Sequence, residues 1–192
     1  MQDQTNQGLD MNDDAALVMH IGAGDKKALG ILVEKYKKLA YQTALGLVGN
    51  KDDAFDISQE AFLRVYRSAK TYDRKQPFLP WFYTIVANLS RTWLRRRSRR
   101  ENRMVDLDDT SFLMVTEDTP ETEYWANEQV RKLRGALMKL SFEDREIITL
   151  QHFRAMSYDE IAKLLEIPKG TVMSRLYYAR KRLAKLMRED AR

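Results

Sequence analysis

"MSYDEIAKLLEIPKGTVMSRLYYARKRL", residues 156–183, is the stretch on which the reading of this chain turns. Ser157 and Glu160 stand three apart ahead of an apolar run. That is the spacing of a capping box, in which a hydroxyl and a carboxylate satisfy backbone N–H groups left open at a helix start. Ile161, Ala162 and Leu165 form the buried side of the helix that follows, and Ala162 is small enough for a second helix to cross closely. Pro168 ends the turn and sets the entry to that second helix. There Val172, Leu176, Ala179, Leu183 and Leu186 recur at helical spacing as an inward stripe. A separate stripe, polar and basic, holds Thr171, Ser174, Arg175, Tyr178 and Arg182. It begins at the helix N-terminus, where a recognition helix reaches base edges in the major groove. Arg175 suits a guanine edge, and Thr171 and Ser174 suit bases or phosphates. Lys169, Arg180, Lys181 and Arg182 would add phosphate contacts that do not depend on sequence. A plain helical hairpin with a solvated basic face requires no such agreement between cap, small residue, turn and stripe. Glu166 stands where such turns often place glycine, and a left-handed backbone there costs a non-glycine residue on the order of 1 kcal/mol.

Outward from this stretch, nearly every periodic segment also reads as helix. Leu29, Leu32, Val33, Tyr36, Leu39, Ala40 and Leu47 recur at three- and four-residue steps, with Asp25 as N-cap and Gly49-Asn50 as stop. A second helix runs through "DDAFDISQEAFLRVYRSA" with Ile57, Ala61, Val65 and Ala69 inward. A third, "PWFYTIVANLSRTWLRRR", places Trp81, Ile85, Leu89 and Trp93 inward. Near Glu123 a further block begins, with Val130, Leu133, Leu137 and Leu140 on one face, followed by a helix capped by Ser141 and Asp144 that buries Ile147, Ile148 and Leu150. The fold class is all-α, as two small helical domains. Residues 1–13 read as a disordered N-terminus, 14–100 and 125–192 as the domains, and 101–124 as an acidic flexible linker.

Charge follows the same division. The 192 residues carry a net charge of +5. Residues 1–100 hold 17 Lys and Arg against 11 Asp and Glu, net +6. Residues 101–124 hold 1 against 8, net −7, and residues 125–192 hold 15 against 9, net +6. Two basic blocks flanking an acidic segment favour a polyanionic partner. The chain has no cysteine, which excludes disulfides, zinc knuckles and thiol chemistry. The polar start "MQDQTNQGLDMNDD" is no signal peptide, and no apolar run approaches the ~18 residues of a membrane helix. A soluble cytoplasmic protein without membrane insertion is expected. His20 and His152 are isolated, so no metal and no cofactor is implied. There is no paired-carboxylate, nucleophile–base or P-loop constellation, and "GAGDK" (22–26) reads as the end of one helix and the start of the next.

"GTVMSRLYYARKRL" resembles the end of bacterial sigma factors of the extracytoplasmic-function group, within the sigma-E-like set. Upstream and in order, "DAALVMHIGAGDKKAL" resembles the opening helix of that family, "DAFDISQEAFLRVYR" its polymerase-clamp segment, and "FLPWFYTIVANLSRTWLRRRSRR" its −10 segment. The resemblance covers roughly residues 14–100 and 125–187. It implies a region 2 domain, a linker and a region 4 domain, in a dissociable specificity subunit of RNA polymerase without catalysis of its own. The implied partners are core polymerase, through the β′ clamp coiled coil and the β flap, promoter DNA, and an anti-sigma factor.

The resemblance also assigns residues. Asp56, Gln59, Glu60 and Phe62 fall in the clamp-binding segment; on spacing alone the first three read as an ordinary solvated face. Lys75 and Phe78 lie in the Lys75–Leu79 loop, where the family captures a flipped base. Tyr83, Asn88, Arg91, Arg95 and Arg96 lie along the helix that recognises and melts the −10 element, with Trp81 and Trp93 read as core. Lys169, Thr171, Ser174, Arg175, Tyr178 and Arg182 would read the −35 duplex. The linker matches the family in place and acidity, and its Phe112-Leu113-Met114-Val115 is apolar enough to anchor on a partner. The competing reading is a helix-turn-helix regulator with a helical sensory domain, which has no need of the "DISQEAF" face or of the basic-aromatic helix.

Overall fold

The computed structural model describes residues 13–101, 122–153 and 156–189. Among these the chain is all-α, with eight α-helices, and it divides into two compact units, residues 1–90 and 91–192. Residues 102–121 of the expected linker and the first twelve residues lie outside the described residues, while 101 and 122–124, expected to be linker, are helical. Among the described residues no helix is long and apolar enough to cross a membrane.

In the first unit, α1 (Asp14–Gly22), α2 (Lys26–Val48) and α3 (Lys51–Ser68) follow one another with little connecting chain, because each boundary residue caps a helix. The Asp13 carboxylate accepts from the Ala16 N–H at 3.1 Å, Asp25 from Lys27 at 2.8 Å, and Asn50 from Asp53 at 3.0 Å. Each satisfies a donor that a helix start leaves open. Gly49 ends α2 in the left-handed region at φ 76°, and Gly24 turns the chain between α1 and α2 at φ 96°. These are the stops expected from "GAGDK" and from Gly49-Asn50. Asp14 ties α1 to α2, accepting from Lys35 Nζ at 2.7 Å and from the Tyr36 hydroxyl.

The α3 stripe falls where expected, with Ile57, Ala61, Val65 and Ala69 all buried. Helix α4 (Phe78–Glu101) departs from expectation. Its buried stripe is Phe78, Phe82, Val86 and Ser90, joined by Tyr83 and Ala87, while Trp81, Ile85, Leu89 and Trp93 are only half-buried. The cause is aromatic packing. Phe82 lies 5.0 Å from Phe62, 5.4 Å from Phe78 and 5.9 Å from Tyr36, centroid to centroid. Such clusters bury large areas and gain further from ring geometry. Trp81 instead packs at the edge, 4.8 Å from Tyr72. The boundary between units falls inside α4, so its apolar part belongs to the first unit and its arginine-rich part to the second.

The second unit also contains α5 (Thr122–Met138), α6 (Phe142–Ile148), a π turn at Thr149–Phe153, α7 (Tyr158–Leu165) and α8 (Lys169–Glu189). Ser141 caps α6, accepting from the Asp144 N–H at 3.2 Å. Leu137, Ile147, Leu150, Ile161, Val172 and Leu176 make its core. Val130, expected inward on α5, is exposed, whereas Ala136 and Leu137 near the end of that helix and Leu140 just beyond it are buried.

Candidate functional site

Helices α7 and α8 form the hairpin that the capping box announced. Ser157 N–H donates to Glu160 Oε2 at 2.7 Å, and the Glu160 N–H donates back to Ser157 Oγ at 3.3 Å. Helix α7 closes on Glu166 at φ 54°, ψ 41°, a left-handed residue that is not glycine. Pro168 holds the N-cap place, and its carbonyl accepts from the Thr171 and Val172 N–H groups at 2.9 and 3.1 Å. Val172, Leu176 and Ala179 are buried, with Leu183 and Leu186 half-buried behind them. Rotation of 100° per residue therefore turns Ser174, Arg175 and Tyr178 outward, with Thr171 at the edge of the core. Four of the six expected DNA-reading residues thus share one face at the start of α8.

The remaining two are engaged. Lys169 Nζ pairs with Asp159 Oδ2 at 2.8 Å, but both side chains are more than half exposed. Such a pair contributes little and opens readily to a phosphate. Arg182 differs. Its Nε and Nη2 each donate to a separate oxygen of Asp144 at 2.6 Å, and the Asp144 side chain is only 10 % exposed. This two-pronged bond raises the Arg182 pKa further, so the guanidinium stays charged. Arg182 remains 53 % exposed on α8, but this bond ties its guanidinium to Asp144 of α6. Arg180 is also held, its Nη2 donating to Gln151 Oε1 at 2.8 Å and its Nε to His152 Nε2 at 3.2 Å. Lys181, between them, is exposed.

On α3, Asp56 and Gln59 are exposed and lie on one face. Glu60 is beside them but accepts from Arg64 Nε and Arg67 Nη1, both at 3.3 Å. Phe62 is not on this face. It is 8 % exposed and packs on Phe82, because it falls at the edge of the Ile57–Ala61–Val65 stripe. The sequence reading missed a second apolar stripe on the same helix. Phe55, Leu63 and Tyr66 are exposed at 54 %, 47 % and 40 %, alongside Asp56 and Gln59. The signal was present as apolar residues at helical spacing that miss the buried stripe.

For the α4 set, Lys75 is exposed in the turn before the helix, and Asn88, Arg95 and Arg96 are exposed along it, while Arg91 is half-buried. The Arg97 guanidinium lies over the Trp93 ring at 5.4 Å. Phe78 and Tyr83 are 4 % and 5 % exposed. Both are core residues, and neither ring is open to an unstacked base; the exposed apolar side chain at this place is Leu79.

Residues 32–100 match the family model of sigma-70 region 2, and residues 131–183 that of sigma-70 region 4. The extracytoplasmic-function sigma-E factor of Haemophilus influenzae is 32 % identical over 173 residues, covering 87 % of this chain and 91 % of that protein. The chain belongs to the extracytoplasmic-function sigma factors. SigW of Bacillus subtilis is 30 % identical over 180 residues, covering 90 % of this chain and 95 % of the relative. The fold agrees with that of CnrH, solved in complex with the cytosolic domain of CnrY, at TM-score 0.67 and 23 % identity, over 93 % of this chain and 99 % of that one. It also agrees with Bartonella quintana RpoE, solved with the anti-sigma factor NepR, at TM-score 0.59 and 22 % identity, over 81 % and 94 %. As a sigma factor with regions 2 and 4, this protein binds core RNA polymerase and promoter DNA and confers promoter specificity on transcription initiation.

Proposed function

We propose the following division of labour within this sigma factor. Residues 14–100 hold core polymerase and the −10 element, and residues 125–192 hold the −35 element and the β flap. The outer face of α3 docks on the β′ clamp coiled coil through Asp56 and Gln59, flanked by Glu60 and by the exposed Phe55, Leu63 and Tyr66. Acidic and amide groups fix register against a basic coiled coil, and the apolar stripe supplies burial. Asn88, Arg95 and Arg96 on α4, with Lys75 ahead of it, follow the opened −10 strand, arginines on its phosphates. Thr171, Ser174, Arg175 and Tyr178 read −35 base edges, and Lys169 and Lys181 contact phosphates.

The observation that carries this reading is that a polar-apolar face on α3 and a polar-basic face on α8 are both exposed on a chain whose region 2 and region 4 matches stand in family order. A helix-turn-helix regulator needs only the second face. The protein acts in the cytoplasm as a specificity subunit, the chemistry remaining with polymerase. An anti-sigma factor holds it inactive, in line with the complex in which Bartonella RpoE was solved with the anti-sigma factor NepR. A groove along α8 suits such a partner. It is lined by Met173, Tyr177, Lys181, Lys185 and Arg188, and its chemistry fits an acidic amphipathic segment.

Run-off transcription with purified core polymerase on fragmented genomic DNA, followed by mapping of start sites, tests the function. The expected result is initiation at a set of promoters sharing −35 and −10 elements, dependent on this protein. Tight specific binding to duplex DNA by the free protein, without core-dependent initiation, would overturn it in favour of a regulator.

A further inference from the structure

Arg180 and Arg182 are two residues apart on α8, so at 100° per residue they leave the helix on opposite flanks. Between them Ala179 sits in the core and Lys181 points to solvent. Each arginine reaches back to the segment that begins with α6. Arg182 makes its two-pronged bond to Asp144, 38 residues away in sequence. Arg180 grips Gln151 and His152 of the π turn, 29 and 28 residues away. The Arg182 bond is the firmer of the two. Its carboxylate is nearly buried in the first turn of α6, and a planar guanidinium engaging both oxygens fixes angle as well as distance.

Close packing of the apolar stripe still leaves a helix a small rocking freedom about its own axis, which non-directional hydrophobic contact resists only weakly. Even a small rocking of the packed helix would shift Arg175 and Ser174 against any base edge they address. We propose that Asp144 and Arg182, with Arg180 on the other flank, form a two-sided brace that sets the rotation of the recognition helix, and that Arg182 is a positioning residue rather than a DNA contact. This rests on the −35 reading of α8 given above. It reverses the simplest reading of the "ARKR" run (179–182), in which every cation binds phosphate. Lys181 is the cation of that run that lies outside the brace.

The test uses holoenzyme assembled on core polymerase and the strongest promoter mapped for the wild-type protein, beside the same fragment with its −35 hexamer scrambled. Asp144→Asn, Arg182→Gln, the double variant, Arg182→Lys and Lys181→Ala are compared at a temperature where circular dichroism shows each fully folded. Four results are expected together. Asp144→Asn and Arg182→Gln each lower the preference for the intact −35 by about tenfold, the worth of roughly one misplaced base contact. The double variant loses no more than either single one. Arg182→Lys recovers part of the preference. The slope of log binding against log salt is unchanged in all of these, whereas Lys181→Ala lowers it by about 0.9, one phosphate contact.

A fall of the same size in the Arg182→Gln slope, with −35 preference kept, would make Arg182 a phosphate contact and overturn the proposal. A loss of melting temperature with −35 preference and slope both intact would make the pair a structural bond only, and overturn it equally. A wild-type holoenzyme that initiates without regard to the −35 hexamer would instead defeat the reading of α8 on which the proposal stands.

Discussion

Phe78 stacks on Phe82 one helical turn away, with ring centroids 5.4 Å apart and planes inclined by 13°. The pair closes the first unit over Tyr36 and Phe62. Phe78→Ala therefore removes a core ring and destabilises the protein by about 3 kcal/mol or more. Lys75→Ala, in the exposed turn three residues before, stays within about 0.5 kcal/mol of the wild type. Thermal unfolding of the two variants decides this. A Phe78→Ala protein as stable as the wild type, yet defective in promoter opening, would return Phe78 to the DNA-binding set.

Asp56→Ala combined with Gln59→Ala should abolish binding to core polymerase while leaving the melting temperature unchanged, since both side chains are exposed and neither caps a helix. Phe55→Ala with Leu63→Ala should weaken the same binding by at least tenfold, again without loss of stability, because hot spots combine apolar anchors with polar register. Co-purification with core polymerase measures both. Unchanged affinity in either double variant would move the interface off this face of α3.

Glu166 holds its left-handed φ of 54° without the freedom of glycine. Glu166→Gly relieves about 1 kcal/mol of backbone strain, offset in part by the greater freedom glycine gives the unfolded chain. The expected outcome is a melting temperature unchanged or raised by up to about 5 °C. A clear fall would mean that the carboxylate contributes something that its exposure does not suggest.

Two groups make the second unit acid-sensitive, in the same direction. Hydrogen bonds from the Ser157 backbone and then from its hydroxyl hold the Glu160 carboxyl below its usual range. A depressed carboxylate stabilises the fold above its unfolded pKa, and that stabilisation is lost as pH falls through the folded value. Burial, and then the nearby Arg180 charge, push His152 below the usual imidazole range. A histidine depressed in the fold takes up its proton more readily when unfolded, so stability declines as pH drops through the unfolded value near 6.5. Ser157→Ala should cost about 1 kcal/mol at neutral pH but flatten the profile near pH 4 only in part, because the backbone N–H at 157 still donates to Glu160. His152→Gln should flatten it between about pH 7 and 5 while leaving the lower limb in place. Melting temperatures across pH 4 to 8 separate the two. A wild-type profile flat over that range would contradict both assignments.

The helices were legible because their signals are local. Ser157 with Glu160, Asp25 and Gly49 act on backbone groups within four residues, so sequence alone places them; Asn50, read only as part of a stop, also caps α3. The inward stripes of α3 and α8 were legible because a 3.6-residue period needs no partner to be seen. Helix α4 was not. It is apolar on more than one side, and period alone cannot choose between a stripe through Trp81 and one through Phe82. Packing against Tyr36 and Phe62 made that choice. The outward-facing Phe55, Leu63 and Tyr66 were hidden for the same reason, since an apolar residue is assigned inward until a structure leaves it uncovered.

By itself, then, the sequence determined an all-helical chain, the hairpin at 156–183 with its left-handed Glu166, and membership of the sigma factors. The first two follow from caps, turns and periodicities whose physics is complete within a few residues, and the third from the resemblance of its motifs, in order, to that family. What only the tertiary structure decided is the use made of each charge and each ring. Arg182 reads as an unengaged surface cation until Asp144, 38 residues earlier, is found within 2.6 Å of it. Phe78 reads as a loop aromatic until Phe82, Tyr36 and Trp81 surround it. A guanidinium or a phenyl ring has the same chemistry on either side of a helix, and its role is fixed by the distant segment that folding brings against it.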